Sequence, residues 1–460
     1  MPYYTCPRCK KEFFLSGSLP TAKCFGCRQP CQQKAKAPVQ VIRRQQTQPT
    51  AVLPNPTPLT VSNPVQPKQV VVLNQRLPNE VIKLIITFCD ERTLAMFSMV
   101  CKKFKPFACD VLTRFVPQMM AYGSTTHNLK EVIKEYIQRD IGAQHTLRLA
   151  VDKFPYNHSE GSILSCIIKN RIPIDLLLGT NDSSTIKSLT KVNRLAKTFI
   201  VSGAIHKMHN KVWTIDGEGI IIGSPNVSYS GLESINFESC IYIKSPRMGH
   251  LVGQYMDLLK SPNPGNNPLW DEIGEKLVKY NSENHHLQVA LSPIIDIQKF
   301  VIEHLHDATK IIIRQFLISP GRRENRDYNI VDFLCYLSRK EGADIEIFID
   351  DSAYRSEATG YFVKEAVTKL MRSGVKVYLQ KPVTVIRVNE ALQHDKLILA
   401  ELRSGKQITL MGSAGFTSAV IANENAERFI YTDVTSVYES MMLHHTSTLN
   451  KGKGVTLTLK

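Results

Sequence analysis

From residue 146 onward the apolar positions fall into short runs that alternate with segments of helical spacing. TLRLAV (146–151) reads as a strand, GSILSCIIKN (161–170) as a helix and IPIDLLLG (172–179) as a strand. STIKSLTKVNRLAKT (184–198) then reads as a helix and FIVSGA (199–204) as a strand. Short β-branched runs favour strands, and longer runs with an apolar stripe favour helices. MHNKVWTIDGEGIIIGSPN (208–226) places two apolar arms about DGEG, the pattern of a β-hairpin. After an irregular stretch near 260 to 284, marked by KSPNPGNNP, the order repeats. LQVAL (287–291), KIIIRQFLI (310–318), DIEIFID (344–350) and VKVYL (375–379) are strands; the helices between them are DIQKFVIEHLHDA, NIVDFLCYLSRKEG and YFVKEAVTKLMRSG. The series closes on a second hairpin, LQHDKLILAELRSGKQITLMGSAG (392–415). Such alternation predicts an α/β fold, here in two lobes over 143–260 and 285–445.

Upstream the period differs. In LPNEVIKLIITFCDERTLAMFSMVCKKFKPFACDVL (77–112), Pro78 fits a helix start, and Val81, Ile82, Ile85, Ile86 and Phe88 give an apolar face. Asp90 and Thr93 interrupt the pattern, and Leu94, Phe97, Val100 and Phe104 resume it, predicting a small all-helical unit within 71–120. Residues 32–70 carry seven prolines among Gln and Thr and read as an extended linker.

Cysteine placement adds a fourth part. Five of the eleven cysteines lie in the first 31 residues. Cys6 and Cys9 form one CxxC, and Cys24 and Cys27 another, with fourteen residues between the two. Each such turn aims two thiolates at one ion, and two turns complete a tetrahedral zinc site. A segment this short has too little core to fold alone, so a structural Zn2+ would supply its stability. Residues 1–31 are therefore expected to be a zinc ribbon with EFFLSG as a hairpin strand and Cys31 as a spare thiol.

A formal charge of +16 and a pI near 9.3 favour a polyanionic ligand, either nucleic acid or an anionic phospholipid surface. A hydrophobic share of 43% suits a globular chain. No apolar run approaches the ~18 residues of a membrane span, MPYYTCPRCKK has no signal-peptide core, and TLTLK is not a prenylation box. The expectation is an intracellular protein of the cytoplasm or nucleus with no transmembrane segment.

The two hairpins carry the same polar residues. His209-x-Lys211 is matched by His394-x-Lys396, Gly223-Ser224 by Gly412-Ser413, and Asn236-x-Glu238 by Asn425-x-Glu427. In both copies the Asn stands thirteen residues after the Gly. His and Lys at i and i+2 project from one face of a strand, and the return strand of the first hairpin brings Ser224 and Asn226 nearby. Two lobes related by a pseudo-twofold would gather two His and two Lys round one cavity. Such a cavity suits a phosphodiester. The lysines, serines and Asn226 would hold non-bridging oxygens; one imidazole would attack phosphorus while the other protonates the leaving oxygen. Glu238 and Glu427 could each hold a histidine by its second nitrogen. This chemistry requires no catalytic metal.

His209, Lys211, Asp216, Gly223, Ser224 and Asn226 reproduce HxKx4Dx6GSxN, and on these residues the chain resembles the phospholipase D superfamily. The second copy departs from the pattern: Glu401 stands where the motif has Asp, its hairpin is four residues longer, and Gly415 replaces Asn. The resemblance implies a phosphodiesterase acting through a phosphohistidine, with His209, Lys211, Asp216, Ser224, Asn226, Glu238, His394, Lys396, Glu401, Ser413 and Glu427 as site residues. Leu77-Pro78, Glu80, Ile82, Ile85, Leu94, Ser98, Val100-Cys101 and Phe104 resemble an F-box, which implies docking on a Skp-type adaptor of a cullin ubiquitin ligase. Charge and the predicted ribbon lean towards nucleic acid as substrate. The alternatives are a phospholipase, or an F-box substrate receptor whose phospholipase D-like domain only binds.

Overall fold

The computed structural model describes residues 116–140, 146–152, 162–179, 196–200, 207–215, 219–232, 236–261, 268–320, 329–380, 392–417 and 425–451, with short stretches at 3–5, 12–14, 32–34, 89, 93–94 and 454–456. The chain divides into two compact units, Met1–Val71 and Val72–Lys460. In the first, β1 (Tyr3–Thr5), β2 (Glu12–Phe14) and β3 (Gln32–Lys34) form an antiparallel sheet ordered β2-β1-β3. β2 falls in the predicted EFFLSG strand. β3 falls at the start of the predicted linker and is strand instead, because its backbone pairs with the open edge of β1. Cys6, Cys9, Cys24 and Cys27, the rest of the linker and all but Cys89, Thr93 and Leu94 of 77–112 lie outside the described residues.

The second unit is built on two sheets. One contains β4 (Gln118–Gly123), β5 (Leu147–Val151), β6 (Ile174–Leu178), β7 (Ala196–Ile200), β9 (Lys211–Ile215), β10 (Gly219–Gly223) and β11 (Ser239–Lys244). Its order is β4-β11-β10-β9-β5-β6-β7. The other contains β12 (Leu287–Leu291), β13 (Ala308–Gln315), β14 (Asp344–Asp350), β15 (Lys376–Gln380), β16 (Lys396–Leu402), β17 (Gln407–Gly412), β19 (Arg428–Thr432) and β20 (Gly454–Thr456). Its order is β12-β19-β17-β16-β13-β14-β15-β20. Strand for strand, the first seven positions repeat, with parallel pairing only among β5-β6-β7 and among β13-β14-β15. β20 is the addition. Two short strands, β8 (Lys207–Met208) and β18 (Asn425–Ala426), belong to neither sheet and pair with each other.

Burial on both faces explains why these strands read as continuous apolar runs rather than alternating ones. All five residues of β6 and of β10 are buried. Val212, Ile220 and Ile222 of one sheet share a core with Leu397, Leu399, Met411 and Ile430 of the other, so the lobes are joined by a common interior. Outer cores lie under the helices, around Ile133 and Leu176 in the first lobe and around Val301, Val367 and Ile347 in the second. Cys240 and Cys335 are buried among apolar side chains.

The structure corrects several boundaries. β4 is an edge strand of the first sheet, so that lobe begins well before residue 143, and residues 118–120 are not part of a helical unit. Met119 and Ala121 alternate inward from it, and the helix that follows, α1 (Leu129–Asp140), buries Leu129, Ile133, Tyr136 and Ile137. Three residues in 196–198 expected to be helical open β7, where they pair with β6. In chain order the next helices are α2 (Ile163–Lys169), α3 (Tyr229–Leu232), α4 (Pro246–Leu259) and α5 (Leu269–Glu283). α5 occupies most of the stretch read as irregular, and Ile273, Leu277 and Tyr280 give it a buried stripe at helical spacing. The second lobe has α6 (Ile297–Leu305), α7 (Ile330–Tyr336), α8 (Asp351–Arg355), α9 (Gly360–Met371) and α10 (Thr435–Lys451), so it extends past residue 445.

Candidate active site

Each hairpin presents its histidine just ahead of the outgoing strand, and the lysine is the first residue of that strand. The lobes then exchange backbone. The His209 N–H donates to Ala426 O at 3.0 Å, and β8 runs parallel to β18 of the other lobe. Symmetrically, the His394 N–H donates to Phe237 O at 3.0 Å, and Phe237 bridges to Gln393. Each NxE segment therefore lies against the HxK segment of the opposite lobe.

This crossing determines which carboxylate serves which imidazole. Glu238 Oε1 is 2.9 Å from His394 Nδ1, and Glu427 Oε1 is 2.8 Å from His209 Nδ1. The second oxygen of each Glu stays within its own lobe. Ser224 Oγ donates to Glu238 Oε2 at 2.5 Å, and Ser413 Oγ donates to Glu427 Oε2 at 2.6 Å. Asn236 and Asn425 offer their amides to the first oxygens at 3.4 and 3.5 Å. The Ser hydroxyls in turn accept from the Ser239 and Arg428 N–H groups at 3.1 and 3.0 Å. Both glutamates are buried, while the imidazoles keep 20% and 15% of their side-chain surface exposed. A carboxylate on Nδ1 leaves Nε2 of each ring as the nitrogen available to a substrate.

Lys211 and Lys396 curl back so that Nζ donates to the carbonyl of the preceding histidine, at 2.9 and 2.5 Å. Burial pushes the Lys211 ammonium down to about 7, against the attraction of Glu427, and the Lys396 ammonium down to about 8, against Glu238 and Glu427. Burial likewise lifts the Glu427 carboxyl to about 7, opposed by Lys211, and lowers the His394 imidazole, opposed by Glu238. Two buried ammonium groups that also repel each other form a site poised for an anion, whose arrival would favour their charged forms.

The amino-acid sequence agrees with this geometry. Residues 137–260 match the family model described as the PLD-like domain of cardiolipin synthase. The chain carries a phospholipase D-like domain. Residues 75–114 match the F-box domain model. No curated protein matches the chain. Among solved structures, phosphatidylserine synthase from Haemophilus influenzae is 12% identical with a TM-score of 0.52, over 75% of this chain and 91% of that one. Nuc from Salmonella typhimurium, described as a phospholipase D family member, is 22% identical with a TM-score of 0.28, over 37% of this chain and 97% of that one. Polyphosphate kinase from Porphyromonas gingivalis is 11% identical with a TM-score of 0.47, over 71% of this chain but only 46% of the kinase. At these identities the likeness is one of fold, and the phosphatidylserine synthase overlap spans both lobes.

Between the two lobes, His209, Lys211, Ser224, Glu238, His394, Lys396, Ser413 and Glu427 come together as the sequence predicts. Asp216 lies outside the described residues. Asn226 follows Ser224 at the mouth of a turn, where its carbonyl accepts from Ser228; Gly415 does the same for Thr417. Glu401 is a correction. It stands five residues along β16 from Lys396, about 17 Å at the rise of a strand, where it meets Lys310 at 3.6 Å and the Tyr438 hydroxyl at 3.3 Å. It therefore ties the far end of the hairpin to α10 and does not face the histidines.

Other residues at the site were not foreseen. Phe316 packs against the His394 ring with centroids 5.7 Å apart. Asp350 ends β14 and accepts from the Gln393 N–H at 2.7 Å, which anchors the approach to His394. Burial raises the Asp350 carboxyl, with Ser352 and the surrounding N–H groups opposing. No motif marks either residue; only their position at the ends of β13 and β14, beside the HxK strand, does so.

Proposed function

We propose that this protein is a phosphodiesterase that works through a phosphohistidine, with nucleic acid as its substrate class. The observation that carries the reading is the crossed pair of histidine–glutamate contacts with two buried lysines between the lobes. A phosphodiester anion placed there would be held by Lys211 and Lys396 and by the surrounding amides. In the reaction, Nε2 of one histidine forms a bond to phosphorus as the bond to the leaving oxygen breaks, and the other histidine gives that oxygen its proton. Water then attacks the phosphohistidine, losing its proton to the second histidine and restoring the first. We assign His209 as the nucleophile, because it stands in the complete motif, and His394 as the acid. Ser413 and Glu427 would orient His209, while Ser224 and Glu238 would orient His394.

The charge of +16 supports a polyanionic substrate over a single phospholipid headgroup. The match to a cardiolipin synthase-type domain supports a second reading, a phospholipase D acting on phospholipids. Among the described residues no helix is long and apolar enough to cross a membrane. Purified full-length protein incubated in chelator with labelled single-stranded DNA, RNA and phosphatidylcholine vesicles separates the two: nucleic-acid cleavage lost in His209→Asn supports the first, and cleavage confined to vesicles overturns it.

We further propose that the F-box match at 75–114 docks on a Skp-type adaptor of a cullin ubiquitin ligase. Cys6, Cys9, Cys24 and Cys27 are proposed to hold one structural Zn2+. A receptor whose phospholipase D-like domain only binds would have no use for two carboxylate-oriented imidazoles, so the enzymatic reading is preferred.

A further inference from the structure

Beneath the site, the middle residue of each HxK points the other way. Strand alternation sends His394 and Lys396 to one face and Asp395 to the opposite one, where it is fully buried between the lobes. Its Oδ2 accepts from His444 Nε2 at 3.0 Å and from Arg314 Nε at 3.2 Å. His444 is itself fully buried on α10, and its Nδ1 lies 2.6 Å from Thr125 Oγ1, just past β4 of the other lobe. Gly123 makes room for this: a Cβ there would stand 2.1 Å from the His444 ring. Arg314 also contacts Gln393 and lies 3.2 Å from His445 Nδ1.

The first lobe has a matching device with different chemistry. Asn210 is the middle residue of its HxK, and it donates to the Tyr255 hydroxyl at 3.4 Å. Tyr255 is on α4 and donates to Ser292 O at 2.6 Å in the other lobe. Tyr255 follows Glu238, and His444 follows Glu427, by the same seventeen residues. Both lobes thus grip the HxK strand from below with a helix residue that reaches across to its partner. In the second lobe that grip is an ion-paired carboxylate.

We propose that Asp395 and His444 form a positioning pair for the reaction centre. They hold from beneath the strand segment on which His394 and Lys396 stand, and they tie its placement to the docking of the two lobes. The inference rests on the phosphodiesterase reading for its role in turnover. Its physical basis is that a buried carboxylate accepting from His444, Arg314 and, at 3.4 Å, the Gln393 side-chain amide has one orientation, and that Asp395 shares its backbone with the residues on either side. Burial alone would raise the Asp395 carboxyl, yet His444 and Arg314 hold it well below the usual range, so it remains an anion. That anion also supports the charge on Lys396, together with Glu238, Glu427 and Asp350, which face the same ammonium.

The test uses the full chain and bis(p-nitrophenyl) phosphate, with wild type and His394→Asn as references. His444→Ala keeps the Asp395–Arg314 pair and is expected to fold; it should lower kcat by about tenfold or more with KM within about threefold. His444→Gln, which can still donate to Asp395, should recover most of that loss. Asp395→Asn should move the alkaline limb of the pH–rate profile to lower pH, because Lys396 loses one of its supporting charges. Calorimetric binding of diethyl phosphate, a non-reacting anion, gives a second measure that needs no turnover. There His444→Ala should bind about two- to threefold more weakly and His444→Gln close to wild type. Unchanged kcat and unchanged diethyl phosphate affinity in His444→Ala overturn the proposal. So does an equal loss in the Ala and Gln variants that tracks a lowered melting temperature. A wild-type chain that binds diethyl phosphate but cleaves no diester would refute the phosphodiesterase reading alone, and the binding comparison would still decide the positioning pair.

Discussion

The crossed carboxylates make a prediction that an uncrossed site would not. Glu238 belongs to the first lobe yet orients the histidine of the second, at 2.9 Å, while also accepting from Ser224 at 2.5 Å and Asn236 at 3.4 Å. Glu238→Gln keeps the size of the side chain and removes its charge. A hydrogen bond to a charged group contributes about 1.5–3 kcal/mol. At 1.36 kcal/mol per decade, its loss from the transition state lowers the rate by roughly 10- to 150-fold. The loss should fall on the step that His394 serves. A diester with p-nitrophenolate as its leaving group needs no proton from an acid, so stopped-flow mixing should show a burst of near wild-type rate in Glu238→Gln followed by slow turnover. Glu427→Gln removes the partner of His209 at 2.8 Å and should slow the burst itself by a similar factor. The phosphoryl group trapped in alkaline denaturant and mapped by peptide should lie on His209 in both. If label on His209 is accompanied by a lost burst in Glu238→Gln and a normal one in Glu427→Gln, each carboxylate serves its own lobe and the reasoning is refuted.

Diethyl phosphate carries the same charge throughout the neutral range, so its affinity reports the charges of the site: the two lysines, and Glu427, whose ionisation near 7 also disfavours an anion as pH rises. With Lys211 lowered to about 7 and Lys396 to about 8, both are charged below pH 7 and neutral above pH 8 in the free protein. Calorimetry should therefore show affinity falling by roughly 50- to 500-fold as pH rises from about 6 to 9, at about 1.5–3 kcal/mol for each of the two charged contacts; a flat profile would contradict the assignment. Gly123→Ala would force a Cβ to 2.1 Å from the His444 ring and should lower stability by about 1–3 kcal/mol in thermal unfolding. A melting temperature equal to wild type would show that α10 can shift freely. Elemental analysis of the reduced, metal-replete chain should find about one zinc, lost when Cys6 and Cys9 are both replaced by Ser. Capture of a Skp-type adaptor should be abolished by Leu77→Ala with Pro78→Ala, and capture that survives both changes would place the docking surface elsewhere.

Local signals sufficed for much of this protein. The runs of β12 and β14 were bounded to the residue, since His285-His286 and Ser292-Pro293 flank the first, and Gly342 and Asp351 stand on either side of the second. The two HxK motifs, the Gly-Ser pairs and the NxE segments were legible as a duplicated set, because a strand's period of two and a constant spacing survive in one dimension. Elements held by distant partners were less visible. β4 looks unremarkable until β11 lies beside it, and Lys207–Met208 is a strand only because Asn425–Ala426 comes alongside. The same limit explains Glu401. Its motif position implied a role at the site, but seven residues of extended chain separate it from His394 and place it beside Lys310 and Tyr438. Above all, the pairing of Glu238 with His394 and of Glu427 with His209 follows from backbone exchanged across a pseudo-twofold. Spacing along one chain is identical for the crossed and uncrossed arrangements, so only the docking of the two lobes decides between them.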